Sequence, residues 1–116
     1  MTSRLLDLTS QFNADAKVQI DVSEWDYVVA HFVSPTGTVT FKGSNDGGAI
    51  AGVSEGDANS ATNWVAINGL NLATNSSATS IAATSLFKFN VVGKFIQFES
   101  VANTVTKLLI QLSKIY

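Results

Sequence analysis

From residue 16 onward, apolar and polar side chains alternate with a period of two, in blocks separated by Gly, Asn, Asp and Ser. Half-buried strands joined by turns are written this way. Val18, Ile20 and Val22 alternate with Lys17, Gln19 and Asp21, which predicts a first clear strand at about 16–22. From Trp25 to Ser34 both parities are apolar, with Trp25, Tyr27, Val29 and Val33 on one side and Val28, Ala30 and Phe32 on the other. That pattern predicts a strand covered on both faces. Ser34-Pro35-Thr36-Gly37 then supplies a turn, because Pro presets φ and Gly accepts positive φ. The alternation resumes from Thr38 to Ser44, with Val39 and Phe41 facing one way and Thr40 and Lys42 the other.

Residues 44–62 are rich in Gly, Ser, Asn, Asp and Ala and carry no strong period, so they predict a long surface loop. Trp64, Val65 and Ile67 begin a short strand expected to stop at Asn68-Gly69, a favoured tight-turn pair. Ser76 to Thr84 is small and β-compatible. Three stronger strands follow at Leu86 to Val91, Phe95 to Val101 and Thr104 to Ile115, separated by Gly93 and by Ala102-Asn103. In the last, Leu108, Ile110 and Leu112 form an apolar face, and Lys107, Leu109 and Gln111 form a mixed one. No segment shows a strong helical period. The expectation is an all-β, antiparallel, jelly-roll-like sandwich of seven or eight strands, with Phe87, Phe89, Phe98, Leu108, Ile110 and Leu112 in its core.

The first fifteen residues stand apart. Leu5, Leu6, Leu8 and Phe12 place four large apolar groups where chain ends commonly fray. Residues 1–15 therefore read either as an edge strand of the domain formed by 16–116 or as an arm that docks on a partner. In the second case Leu5, Leu6, Leu8 and Phe12 are the candidate partner interface.

Composition narrows the function classes. Charged residues make up only 14% of the 116, with seven Lys and Arg against nine Asp and Glu and a net charge of −2. No basic cluster of the kind a phosphate backbone requires is present, so nucleic acid is not an expected partner. The apolar runs are far shorter than the about 20 residues of a membrane span, and Arg4-Leu5-Leu6-Asp7 is too short for an export signal. The chain contains no cysteine, which removes thiolate metal sites and thiol nucleophiles.

Candidate chemistry is sparse. His31, the single histidine, lies within the Trp25–Ser34 strand with no second His or carboxylate at a useful spacing, and reads as structural. Asp46, Glu55 and Asp57, with Asn45 and Asn59, offer hard oxygen ligands in a Gly-rich loop. Their spacing matches no calcium loop, and solvated turns account for it. Trp25 and Trp64 could stack on sugar rings, although core packing explains them as well. No G-x-S-x-G elbow or phosphate-binding Gly motif is found, so neither an enzymatic reaction nor a cofactor is expected.

The segment from Gly37 to Gly47 (GTVTFKGSNDG), followed after a loop by Asn63-Trp64-Val65-Ala66-Ile67, resembles small β-sandwich proteins of tailed-bacteriophage structural modules. Leu86 to Val91 (LFKFNV) and Gly93 to Phe98 (GKFIQF) look like paired strands of the same proteins, and the likeness spans roughly residues 25–115. The GSNDG turn with its following Trp is also similar to discoidin-like carbohydrate- and lipid-binding sandwiches. The chain departs from both patterns by about fifteen inserted residues, Gly48 to Thr62.

The phage resemblance implies a virion protein, assembled in the bacterial host cytoplasm. A chain of 116 residues starting at Met1 suits a capsid decoration (cement) protein better than a large tail fibre. Such a protein binds across shell subunits, so its expected partners are the major capsid protein or another virion protein, together with further copies of itself. A tail or baseplate component of the same fold and a carbohydrate-binding module are the alternatives. The latter requires Trp25 or Trp64 to be exposed beside polar groups in a groove.

Overall fold

The alternating segments are strands, and each turns its apolar parity toward a common core. The computed structural model describes residues 2–45, 64–90, 94–100 and 104–115. Among them are eleven strands and one short helix: β1 (Thr2–Asp7), α1 (Thr9–Asp15), β2 (Lys17–Asp21), β3 (Tyr27–Val33), β4 (Val39–Ser44), β5 (Val65–Ala66), β6 (Gly69–Asn71), β7 (Ser76–Ala78), β8 (Ser80–Ile81), β9 (Ser85–Asn90), β10 (Phe95–Ser100) and β11 (Lys107–Lys114). The expected loop at 44–62 lies outside the described residues from Asp46 on, as do the turns at Gly93 and Ala102-Asn103.

Two antiparallel sheets face each other. One runs β1-β11-β3-β9-β6-β7; the other runs β2-β10-β4-β5, with β8 also paired to β4. The chain changes sheet at almost every strand. Strands β1, β11, β3 and β9 on one side, with β2, β10, β4 and β5 on the other, follow the order of an eight-stranded jelly roll. The expected architecture is therefore present, and the count exceeds seven or eight because the β6–β7 hairpin and β8 are added to it.

Both additions lie where the sequence suggested something simpler. Asn68-Gly69 does not close a hairpin; the chain crosses here from β5 to β6 in the other sheet. Gly69 is required for packing. A Cβ on it would sit 2.5 Å from the Phe89 ring and 2.9 Å from the Phe87 ring. The stretch 76–84 is likewise two short strands in different sheets, β7 on β6 and β8 on β4.

All seven phenylalanines are buried. Five of them join the sheets: Phe41 lies with ring centroids 5.0 Å from Phe87 and Phe89 and 5.8 Å from Phe32 and Phe98. Phe32 and Phe98 meet edge to face at 5.3 Å. Aromatic pairs at such separations add to the gain from burying their area. Val18, Ile20, Val28, Ala30, Val39, Leu108, Ile110 and Leu112 complete the layer between the sheets.

The N-terminal residues belong to this domain. β1 pairs along β11 from Thr2↔Lys114 to Asp7↔Leu109. A helix that the sequence pattern did not suggest then carries the chain to β2 in the opposite sheet. Leu8 and Phe12, four residues apart, share one face of that turn, and both are buried in the core. Asn13 Oδ1 accepts a hydrogen bond from Val105 N–H at 2.8 Å, its Nδ2 donates to Val105 O at 3.1 Å, and Thr9 Oγ1 accepts from Leu108 N–H at 3.0 Å. Ala16 ends the helix in the left-handed region, at φ 60°.

Two substitutions test this account by chemical denaturation. Phe41→Ala should cost about 3–5 kcal/mol. Asn13→Ala, which strands the partly buried backbone groups of Val105, should cost about 1–3 kcal/mol. Phe41→Ala with unchanged stability would remove the central ring from its assigned place.

Candidate interaction surface

In a two-sheet sandwich each strand has an inward and an outward parity, so the chemistry offered to a partner lies on the two outer faces and the free edges. The outer face of the five-stranded sheet is mixed, with Phe95 buried on the parity that also carries Gln97 and Glu99. Lys42 Nζ lies 2.9 Å from Glu99 Oε1, and Thr40 Oγ1 donates to the Glu99 carbonyl at 3.2 Å. With Thr38 and Ser100 these residues line a groove of about 440 Å³. The ion pair is about one-third exposed on each side, so it adds little stability. It places opposite charges side by side. Gln19 and Gln97 are buried on the same parity, with Gln97 Nε2 donating to Gln19 Oε1 at 3.5 Å.

The outer face of the six-stranded sheet is different. Its cross-strand rows read Leu5, Gln111, Val29, Lys88, Leu70 and, next to it, Asp7, Leu109, His31, Leu86. Leu5 is 69% exposed, Leu72 43% and Leu86 39%, while Val29, Val33, Leu70 and Leu109 are half-buried. Lys88 Nζ sits 4.6 Å from the centre of the Tyr27 ring, a cation–π contact that lays its stem over the sheet. This is a mixed surface, in which leucines and valines alternate along the rows with Gln111, His31 and Lys88.

The four residues expected to form one partner interface are separated by the fold. Leu5 points outward, and Leu6 is half-buried against the core. Leu8, 5% exposed, and Phe12, fully buried, are core residues and cannot meet a partner. The reason is α1, which rotates their shared face inward. Of the other apolar residues of this face, Val29 and Val33 were legible as the second apolar parity of residues 25–34 and Leu109 on the mixed face of the last strand, while Leu70, Leu72 and Leu86 were not.

His31 stands half-buried in the outer row between Leu109 and Leu86. Trp25 packs against the core, Trp64 is half-buried, and neither lines the polar groove. Of the oxygen ligands considered for a metal, only Asn45 falls within the described residues, and it is exposed. Among the described residues, no three His, Asp or Glu side chains gather into a possible metal site. No helix there is long and apolar enough to cross a membrane.

No family model and no curated protein matches the sequence. The fold is similar to that in the crystal structure of SPBc2 prophage-derived protein YomS, with a TM-score of 0.64 over 96% of this chain and 91% of that one. Identity between the two is 11%, so the likeness establishes a shared architecture. It runs through nearly the whole of both chains.

Asp7, at the margin of the apolar face, provides a titration test. The Thr9 hydroxyl at 2.7 Å, then the Thr9 N–H at 3.1 Å and the charge of Lys107, hold its carboxyl below the ordinary aspartate range. A carboxyl depressed by folding stabilises above its unfolded pKa and loses that contribution as pH falls through its folded value. Melting temperatures should therefore fall less for Asp7→Asn than for the native chain from about pH 4 downward. Parallel acid-side curves would show that the Thr9 bonds do not hold Asp7.

Proposed function

We infer that the chain is a non-enzymatic structural protein of a bacteriophage virion, and within it a capsid decoration protein that binds across subunits of the shell. The observation that carries the reading is the outer face of the six-stranded sheet. With Leu5, Leu72 and Leu86 exposed and Val29, Val33, Leu70 and Leu109 half-buried around Gln111, His31 and Lys88, it combines apolar area with polar groups, which suits contact with another protein. The sequence resemblance over residues 25–115 and the end-to-end likeness to a prophage-derived protein support the phage setting. The major capsid protein is the proposed partner. The carbohydrate-binding alternative gains no support from Trp25, which is packed on the core, or from the groove, which contains neither tryptophan.

The test is incorporation into particles. Leu86→Asp and Leu72→Asp lie on exposed positions remote from β1 and should leave the melting temperature nearly unchanged. Each should reduce co-sedimentation with phage heads roughly tenfold or more, as expected when a charge is buried without a partner in a protein interface. Native-level incorporation of both would exclude this face as the docking surface. Binding to tails and not to heads would transfer the reading to a tail or baseplate role.

A further inference from the structure

An edge strand presents a row of unpaired backbone groups, and β1 ends the six-stranded sheet. Which of its groups are free follows from the pairing phase. Leu8 N–H donates to Leu108 O at 2.9 Å, and Leu108 N–H turns back toward Thr9. Continuing the register Leu6↔Ile110, Arg4↔Leu112 and Thr2↔Lys114, the even residues of β1 point their N–H and C=O groups at β11. The odd residues, Ser3, Leu5 and Asp7, point theirs to the other side, where no strand among the described residues pairs with them. These same three carry their side chains on the outer face, where Leu5 is the most exposed large apolar residue among those described.

We propose that β1 pairs antiparallel with β1 of a second copy of this chain about a two-fold axis at Leu5, joining two six-stranded sheets into one. Three independent constraints select this register. A two-fold perpendicular to the sheet keeps each face on its own side, so odd residues must meet odd residues. Of the registers that allow this, the one with Leu5 opposite Leu5 engages all three free residues, because Ser3 then faces Asp7 on both sides of the axis. Each pair exchanges two backbone hydrogen bonds.

Charge makes the same choice. Shifting by two residues in one direction sets Arg4 against Arg4 of the second copy and leaves one edge group fewer engaged; shifting the other way sets Leu5 against Asp7. With Leu5 on the axis, Arg4 lies opposite Leu6 of the second copy and no like charges face each other. The two outer faces then run together through the Leu5 pair. The contact is isologous and closes at two copies. A pair of six-residue strands buries less than a standard interface, so the dimer belongs to the weak class and forms as concentration rises.

The experiment uses the full chain. Sedimentation velocity over a concentration series should show a monomer–dimer equilibrium, and Leu5→Lys, which places two ammonium groups across the axis, should weaken it roughly tenfold with an unchanged melting temperature. Single cysteines then report the register, since the native chain has none. Facing residues of a hydrogen-bonded antiparallel pair have Cα atoms about 5.5 Å apart, within disulfide range. Leu5→Cys should therefore form a covalent dimer under mild oxidation. In Ser3→Cys the two thiols are displaced by four residues, about 13 Å, and should cross-link far more slowly. A monomer throughout the series, a Leu5→Lys dimer as tight as the native one, or equal cross-linking at residues 3 and 5 would each overturn the proposal. None of these variants alters Leu72 or Leu86, so failure here is distinguishable from failure of the shell-binding reading.

Discussion

The two sheets are held in register by one ring. Phe41, on β4, meets Phe32, Phe87 and Phe89 from the opposite sheet and Phe98 from its own neighbour β10. Every strand with a partner in that cluster must turn the same parity inward. Gly69 belongs to the same constraint, since β6 can lie beside β9 only if no side chain stands between its backbone and the rings of Phe87 and Phe89. Fixing the inward parity also decides what the outside shows. The outer faces are whatever the alternate positions carry, which on both sheets is a mixture of polar and apolar side chains, with the exposed leucines on the six-stranded one.

Crossing between sheets at almost every strand makes the core a product of distant segments. β1 and β11, from opposite ends of the chain, are neighbours, and α1 is bonded to the residues that enter β11. Such a topology forms slowly because few of its contacts are local. It also gives a rigid body whose faces and edges are available for association. The groove on the five-stranded sheet contains an ion pair and hydroxyls; the sheet opposite presents leucines. Of the two, the second is the one on which the proposed docking rests.

Much of this architecture is legible in the sequence. The period of two gave the long strands at 16–22, 38–44, 86–91, 95–101 and 104–115, and the six residues assigned to the core are all buried. Short elements were not legible, because two or three residues cannot establish a period: β5 to β8 were read as one short strand, a turn and one longer strand. The helix escaped for the same reason. Its seven residues carry one large apolar side chain, Phe12, which together with Leu8 just before them reads equally well as part of a docking arm. The candidate site suffered from that ambiguity. Whether an apolar group near a chain end serves the core or a partner depends on the direction in which the backbone turns, and at Asp7-Leu8-Thr9 it turns inward through the Asp7–Thr9 hydrogen bonds. Leu109 and Val29 were visible as a second apolar parity, but the sequence does not say whether another layer covers such a face.

Hydroxyl-radical footprinting of the chain free and bound to phage heads tests the proposed docking face residue by residue. Leu72, Leu86 and Leu109 should lose reactivity on binding, while Thr38, Thr40 and Lys42 in the groove of the opposite sheet keep theirs. Protection of the groove with Leu72, Leu86 and Leu109 unchanged would contradict it.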